Sequence, residues 1–192
     1  MTLPLYLVDP ALLAGRGRGS SVVLDGPEGR HAATVRRTRV GERLVLADGA
    51  GTRAEGEVVA VGSGTLEVRL EEVGSDPEPS PRFVLVQALA KGDRDEQAIE
   101  AATECGVDEV VPWQASRSVV QWRGERGEKA RRKWDGVLVA ATKQARRTRR
   151  PVLGDTVTSA GLAERVRSAA LALVLHEDAN TPLAAVELPD DG

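Results

Sequence analysis

The chain has 192 residues, of which 41% are hydrophobic and 29% charged, and its formal net charge is −3. A chain of that length buries either one large core or two small ones, and it has no apolar run of the length a membrane-spanning helix needs. A single cysteine, Cys105, excludes an internal disulfide and fits a reducing cytoplasm, while two histidines and one cysteine are too few for a zinc site. The opening "MTLPLYLVDP" lacks a basic region followed by an apolar core, so it does not read as a secretory signal.

In chain order, the first part is a series of short alternating segments: "LYLVD", "SVVLDG", "RLVLADG", "AEGEVVAV" and "TLEVRLEEV". Turn residues such as Asp48-Gly49 and Gly62-Ser63-Gly64 separate them, which predicts a small antiparallel barrel of five strands. "EGRHAATVRRTRVGE" interrupts the series as a single helix with Arg36, Arg37 and Arg39 near its end, and His31 reads there as structural. "EEVGSDPEPSPRF", with three prolines, is the best boundary. It divides the chain into a barrel (1–72), a linker (73–82) and an α/β domain (83–192).

Beyond the boundary, "FVLVQALA" is a near-continuous apolar run, as expected of a strand covered on both faces. Asp93 and Glu96 form a capping box that opens a helix, and Gly106 closes it. "VDEVVPW" is a second strand. Trp134, Val137, Leu138, Ala141 and Ala145 make one helical stripe ending before Pro151. A shorter helix over Leu162, Val166 and Ala169 leads into "LALVLHED", read as a third buried strand. The alternation predicts β-α-β units on a parallel sheet.

Charge is unevenly spread. Residues 123–133 carry six basic and two acidic side chains, residues 141–150 five basic and none acidic, and from residue 160 onward two arginines stand with six acidic residues. Cations suit a helix C-terminus, but five exceed what capping uses. Arg146, Arg147, Arg149 and Arg150, with Arg117, Arg123 and Arg126, have the density of a phosphate-tracking surface; a solvated face is the other reading. "ALAKGDRDE" places Lys91 and Arg94 where a parallel strand meets a helix N-terminus, a place that attracts anions. A capped helix with solvated charges has the same spacing. No P-loop and no dinucleotide fingerprint is present. Trp113 and Trp134 read as core, and Trp122 as either core or a stacking platform. Cys105 reads as packing, and His176 and Glu177 end the third strand.

Taken together, these blocks resemble the RsmE family, bacterial methyltransferases acting on N3 of a uridine in 16S ribosomal RNA. The family pattern of Lys-Gly-Asp-Arg, Ala-Thr-Glu-Leu-Gly-Val, Pro and Ser-x-Arg-Ser falls on Lys91 to Arg94, Ala102 to Val107 with Cys105 for the leucine, Pro112, and, for the last three places, Ser116 to Ser118. In the barrel half, "HAATVRRTRVGE" and "DGAG" match a His-x-x-x-Val-x-Arg-x-x-x-Gly-Asp and Asp-Gly-x-Gly pair, with Glu42 for the aspartate. "KQARRTRRP" is similar to Gln-Ser-Gly-Arg-x-x-x-Pro, aligning Gln144, Arg147 and Pro151, with Arg146 for the glycine.

The resemblance implies a PUA-like RNA-binding barrel followed by a SPOUT-type α/β domain with a trefoil knot. It implies S-adenosyl-L-methionine as cofactor, 16S ribosomal RNA or the small ribosomal subunit as partner, and a homodimer; the composition, for its part, reads as metal-free. Arg94, Gln144 and Arg147 are then expected near the target base. Arg36, Arg37, Lys91, Arg117, Arg146, Arg149 and Arg150 are expected on RNA, and His176 and Glu177 beside the cofactor. The family continues past "LALVLHED" with a Gly-Pro-Glu-Gly-Gly loop and a later block that complete the knot and most of the cofactor pocket. These 192 residues stop before both, and "GPEGR" at 26–30 is a look-alike in a different element. A non-catalytic RNA-binding protein of the same fold is therefore the alternative expectation. A small-molecule α/β enzyme with a solvated arginine surface is a third.

Overall fold

The computed structural model describes residues 2–176, 178–187 and 189. By backbone contacts it divides into two compact units. The first comprises residues up to Glu78 together with Leu138–Pro151; the second comprises Pro79–Val137 and the residues from Val152 onward. The stretch carrying the arginine run therefore folds with the N-terminal strands, although by sequence it lies within the α/β half.

The first unit contains β1 (Leu5–Leu7), α1 (Pro10–Leu13), β2 (Ser21–Leu24), α2 (Gly26–Arg30), β3 (Arg43–Ala47), β4 (Thr52–Val61) and β5 (Leu66–Ser75). The five strands lie in the order β1-β3-β4-β5-β2, as many as the alternation predicts. Not all are antiparallel: β1 runs parallel to β3, the connection between them passing through α1, β2 and α2. A parallel pair needs such a crossover, which period-2 patterning does not reveal. β4 and β5 are ten residues each, and register shifts at Glu55/Gly56 and Val58/Ala60 bend their pairing. Inward-facing Leu44, Leu46, Ala54, Val58, Leu66, Val68 and Leu70 pack with Tyr6, Leu24 and Ala32 in one core. The single predicted helix is two pieces, since α2 passes into a π-helical turn over His31–Val35. β5 runs into the expected linker, to Ser75.

The second unit is built on β6 (Val84–Ala88), α3 (Arg94–Glu104), β7 (Glu109–Gln114), the first part of α4 (Gly124–Gln144), β8 (Val152–Leu153), β9 (Val157–Thr158) and α5 (Ser159–Ser168). All the pairings of this sheet are parallel: β6 with β7 from Val84↔Glu109 to Ala88↔Trp113, and β8 and β9 both on β7. Ile99, Val110, Val111 and Trp134 are buried, and Trp122 packs edge-on against Trp134 with ring centroids 4.9 Å apart. That contact makes Trp122 a packing residue. α3 ends as predicted: Gly106 has φ +103°, and the Val107 amide bonds back to Ala102 O at 2.9 Å. Cys105, read as packing, is exposed. β7 opens on Glu109, a buried carboxylate held between Arg82 and Arg165.

The third buried strand is not formed. Residues 169–176 carry no strand pairing, and Leu173, Val174 and Leu175 are 47%, 79% and 83% exposed. An apolar run registers the propensity to be a strand. Being one also requires a neighbouring edge to supply hydrogen bonds, and among the described residues none pairs with this segment.

Candidate functional site

Two groups of cations stand out, one in each unit. In the second unit they collect where β6 and β7 end. The Leu89 amide still donates to Trp113 O at 3.0 Å, and the chain then leaves the sheet. The expected capping box is absent, because Asp93 makes no side-chain bond to the helix. Asp95, 4% exposed, does that work instead: its carboxylate accepts the Ala90 amide at 3.2 Å and the Glu96 amide at 3.0 Å. It thereby fixes the turn that displays Lys91 and Arg94, both exposed, at the N-terminus of α3. Lys133 reinforces this end through Glu96 at 2.5 Å, and that hydrogen bond raises its pKa.

The loop after β7 is tied to the same place. Ser118 Oγ lies 3.2 Å from Leu89 O and 2.8 Å from Val120 O, within reach of either as a donor. Gln114 Oε1 accepts the Trp122 amide at 2.9 Å, closing the loop at its far side. Arg117 is exposed between Ser116 and Ser118. Lys91, Arg94 and Arg117 thus stand at the carboxyl ends of two neighbouring parallel strands, where open α/β sheets bind ligands. The hydroxyls of Ser116 and Ser159 approach to 3.1 Å at the same edge, and the indole N–H of Trp113, on β7, is buried without a hydrogen-bond partner among the described residues. A buried orphan donor costs about 1–3 kcal/mol. The two exposed hydroxyls offer polar contacts at this edge.

In the first unit, the π-turn ends with the Arg36 amide on His31 O at 2.9 Å and the Thr38 amide on Ala32 O at 3.1 Å. Arg37 between them adopts φ 54°. Arg36, Arg37 and Arg39 are exposed, with Val35 and Val40 exposed beside them at 69% and 61%. Extra residues inserted into helices often mark functional sites. The end of α4 is held to this unit by Lys143, whose ammonium lies 2.6 Å from the Glu28 carboxylate. The helix closes with the Arg146 amide on Lys143 O and the Arg147 amide on Thr142 O, at 3.2 and 3.0 Å. This motif wants a left-handed residue at its penultimate position, and Arg146 supplies it with φ 56°. That requirement accounts for the glycine that Arg146 replaces in the resembling pattern. Gln144 and Arg146 are exposed, and Arg147 and Arg150 half-buried.

Arg149 is placed differently from a phosphate contact. Its guanidinium donates to three main-chain carbonyls: Ala50 O at 2.5 Å, Asp76 O at 2.7 Å and Pro77 O at 3.1 Å. Of the cofactor candidates, His176 is not brought to the strand ends either. His176 is 63% exposed, its Nδ1 accepting the Asp178 amide at 3.1 Å, in the segment without strand pairing. Glu177 lies outside the described residues. Sequence reasoning missed Asp95, Gln114 and Thr148, and marked Ser118 only as a position of the resembling pattern. Of the three missed, only Asp95 left a signal, a second acidic residue in the first turn of a helix.

One unit with arginines following its π-turn, and another with cations at the strand ends of a parallel sheet, are the architecture to which the comparisons point. A family model described as an RNA methyltransferase PUA domain matches residues 24–71, and one described as an RNA methyltransferase domain matches residues 77–191. The ribosomal RNA small subunit methyltransferase E of Mycobacterium bovis is 46% identical over 165 residues, covering 84% of this chain and 63% of that protein. The chain therefore spans less than two thirds of the length of that relative. A putative methyltransferase from Legionella pneumophila, solved with its bound cofactor S-adenosylmethionine, is 25% identical with a TM-score of 0.75, covering 93% of this chain and 72% of that one. The ribosomal RNA small subunit methyltransferase E of Neisseria gonorrhoeae shares the fold, with a TM-score of 0.68 at 24% identity over 81% of this chain and 63% of that one. The chain belongs to the RsmE family of ribosomal RNA methyltransferases.

Proposed function

We propose that this chain acts in methylation of uridine N3 in 16S ribosomal RNA, with S-adenosylmethionine as methyl donor, as a cytoplasmic homodimer. The observation that carries the reading is the gathering of Lys91, Arg94 and Arg117 at the carboxyl ends of β6 and β7 within a chain that also has a PUA-type unit. Relatives named as small-subunit methyltransferases, and a cofactor-bound neighbour, give the substrate class and the donor.

N3 of uridine is an imide nitrogen. It becomes nucleophilic only on losing its proton, and the resulting charge spreads onto the two flanking carbonyl oxygens. Catalysis therefore needs cations or donors at those oxygens and an accurately held base outside any duplex. The planar fork of Arg94 suits a carbonyl oxygen, and the helix N-terminus it occupies adds positive potential. Lys91 and Arg117 offer further charge at the same edge, toward base or backbone. Arg36, Arg37, Gln144, Arg146, Arg147 and Arg150, all folding with the first unit, are assigned to RNA contact. Ser116 and Ser159, whose hydroxyls meet at this edge, would offer polar contacts to the methyl donor. When bound, that cofactor supplies an electrophilic methyl group.

The test is incubation of the chain with unmodified small ribosomal subunits and labelled S-adenosylmethionine, followed by nucleoside analysis. Formation of 3-methyluridine, lost in Arg94→Ala, supports the reading. Salt-sensitive binding to 16S RNA without any 3-methyluridine would replace it with the non-catalytic RNA-binding alternative.

A further inference from the structure

We infer that Arg149 is a positioning residue that locks the arginine-bearing return segment onto the first unit, rather than a contact to RNA phosphate. The inference rests on the RNA-binding reading above and deepens it. Three stretches of chain meet at this side chain: the β3–β4 turn, the end of β5, and residues 148–150. Their main chains are stitched by Gly51 N to Thr148 O at 3.2 Å, Asp76 N to Gly51 O at 2.9 Å and Arg150 N to Gly49 O at 2.9 Å. The Thr148 hydroxyl adds a short hydrogen bond to the Asp76 carboxylate.

Arg149 closes the seam. All three of its guanidinium nitrogens donate to carbonyls, Ala50 from one stretch and Asp76 and Pro77 from another. The three bonds leave from three separate nitrogens of one rigid plane, a spread that a lysine ammonium, with its three donors on a single nitrogen, does not match. The turn is shaped to receive it. Gly51 has φ +112°, and a Cβ there would lie 2.5 Å from the guanidinium carbon. The segment fixed in this way begins at the Arg146 turn and carries Arg147 and Arg150. The arginine run thus contains two jobs: one side chain is bonded to the fold's own carbonyls so that its neighbours hold a fixed place.

The experiment compares the full chain with Arg149→Lys and Arg149→Gln, reading 16S RNA affinity across a salt series and amide hydrogen exchange. If Arg149 positions, Lys fails as badly as Gln. Both then weaken RNA binding by about tenfold or more although one keeps the charge, and both speed exchange at Gly51, Asp76 and Arg150. If Arg149 instead contacts phosphate, Lys retains most of the affinity and Gln lowers the salt slope by about one contact; that result overturns the inference. Unchanged exchange in both variants overturns it too, as does faster exchange with RNA affinity intact. Exchange of β3, β4 and β5 in the same spectra reports whether the core survives. If it does not, Thr148→Val replaces both, removing a neighbouring bond of the seam with a smaller effect of the same kind. A wild-type chain without salt-sensitive RNA binding sinks the functional reading and the role given to Arg149 with it. The exchange measurement would still show whether the seam exists.

Discussion

Glu109 and Arg165 are joined at 2.9 Å across the second unit, and the other oxygen of the same carboxylate lies 3.1 Å from Arg82. The carboxylate side chain is 11% exposed, whereas the two arginines are 40% and 54% exposed. The buried member is therefore the one whose partners matter. It sits at the entry of β7, where one charge answers cations that precede β6 and lie in α5. Replacing Glu109 by Gln leaves both arginines free to rehydrate, so the loss falls below that of a fully buried pair, about 2 kcal/mol. Arg165→Ala keeps the Arg82 contact and costs about 1 kcal/mol. Urea unfolding of the two variants checks the ranking; equal losses contradict it.

Asp95 and Asp93 make a second contrast. Asp95→Ala removes the acceptor of the Ala90 amide and is expected to cost about 1–2 kcal/mol. It also loosens the turn carrying Lys91 and Arg94, so methyl transfer falls more than stability does. Asp93→Ala removes no capping bond and is expected to be within about 0.5 kcal/mol of wild type. Thermal unfolding and 3-methyluridine formation, measured side by side, decide this.

Arg146 holds a left-handed conformation that an arginine adopts at a cost. Arg146→Gly is expected to stabilise the chain by about 1 kcal/mol while weakening RNA binding and lowering its salt slope by about one. A melting temperature that drops, or an unchanged slope, counts against the assignment.

Tyr6 is the one tyrosine in the sequence, so absorbance titration of phenolate reports it alone. Burial pushes its pKa above the usual 10.0, the lowering effects of Thr38 and Arg36 being smaller. A raised folded-state pKa means that the unfolded chain loses this proton first. Stability is then fully present below pH 10 and declines as pH rises toward and through the folded value. Tyr6→Phe is expected to remove that decline. It also deletes a buried hydroxyl, so stability at neutral pH should not fall by more than about 1 kcal/mol. Alkaline unfolding of the two proteins is the measurement.

Much of this architecture was legible from residue pattern. The alternation of β3, β4 and β5 gave the inward set from Leu44 to Leu70 because period 2 is what a half-buried strand imposes. Trp134, Leu138 and Ala141 are buried as the stripe required. What escaped was whatever depends on partners distant in sequence. The parallel pairing of β1 with β3 is a fact of crossover, not of local pattern. The run from Leu171 to Leu175 looks like a core strand because nothing in five residues tells whether an edge awaits them. Among the cations, Arg146, Arg147, Arg149 and Arg150 are alike as letters. Only the fold distinguishes a side chain aimed at its own carbonyls, as Arg149 is, from its neighbours.

The first unit is discontinuous in sequence, and this has a consequence for its birth. Its strands are all made by Ser75, but the residues that answer Glu28, Gly49, Gly51 and Asp76 are not translated until Lys143 to Arg150. Domains usually fold in the order in which they leave the ribosome. Here the earlier unit waits with exposed carbonyls at Ala50, Asp76 and Pro77 while the β6–β7 half of the later one is being synthesised. A gene fragment cut at the proline-rich boundary would encode the strands without their fastening.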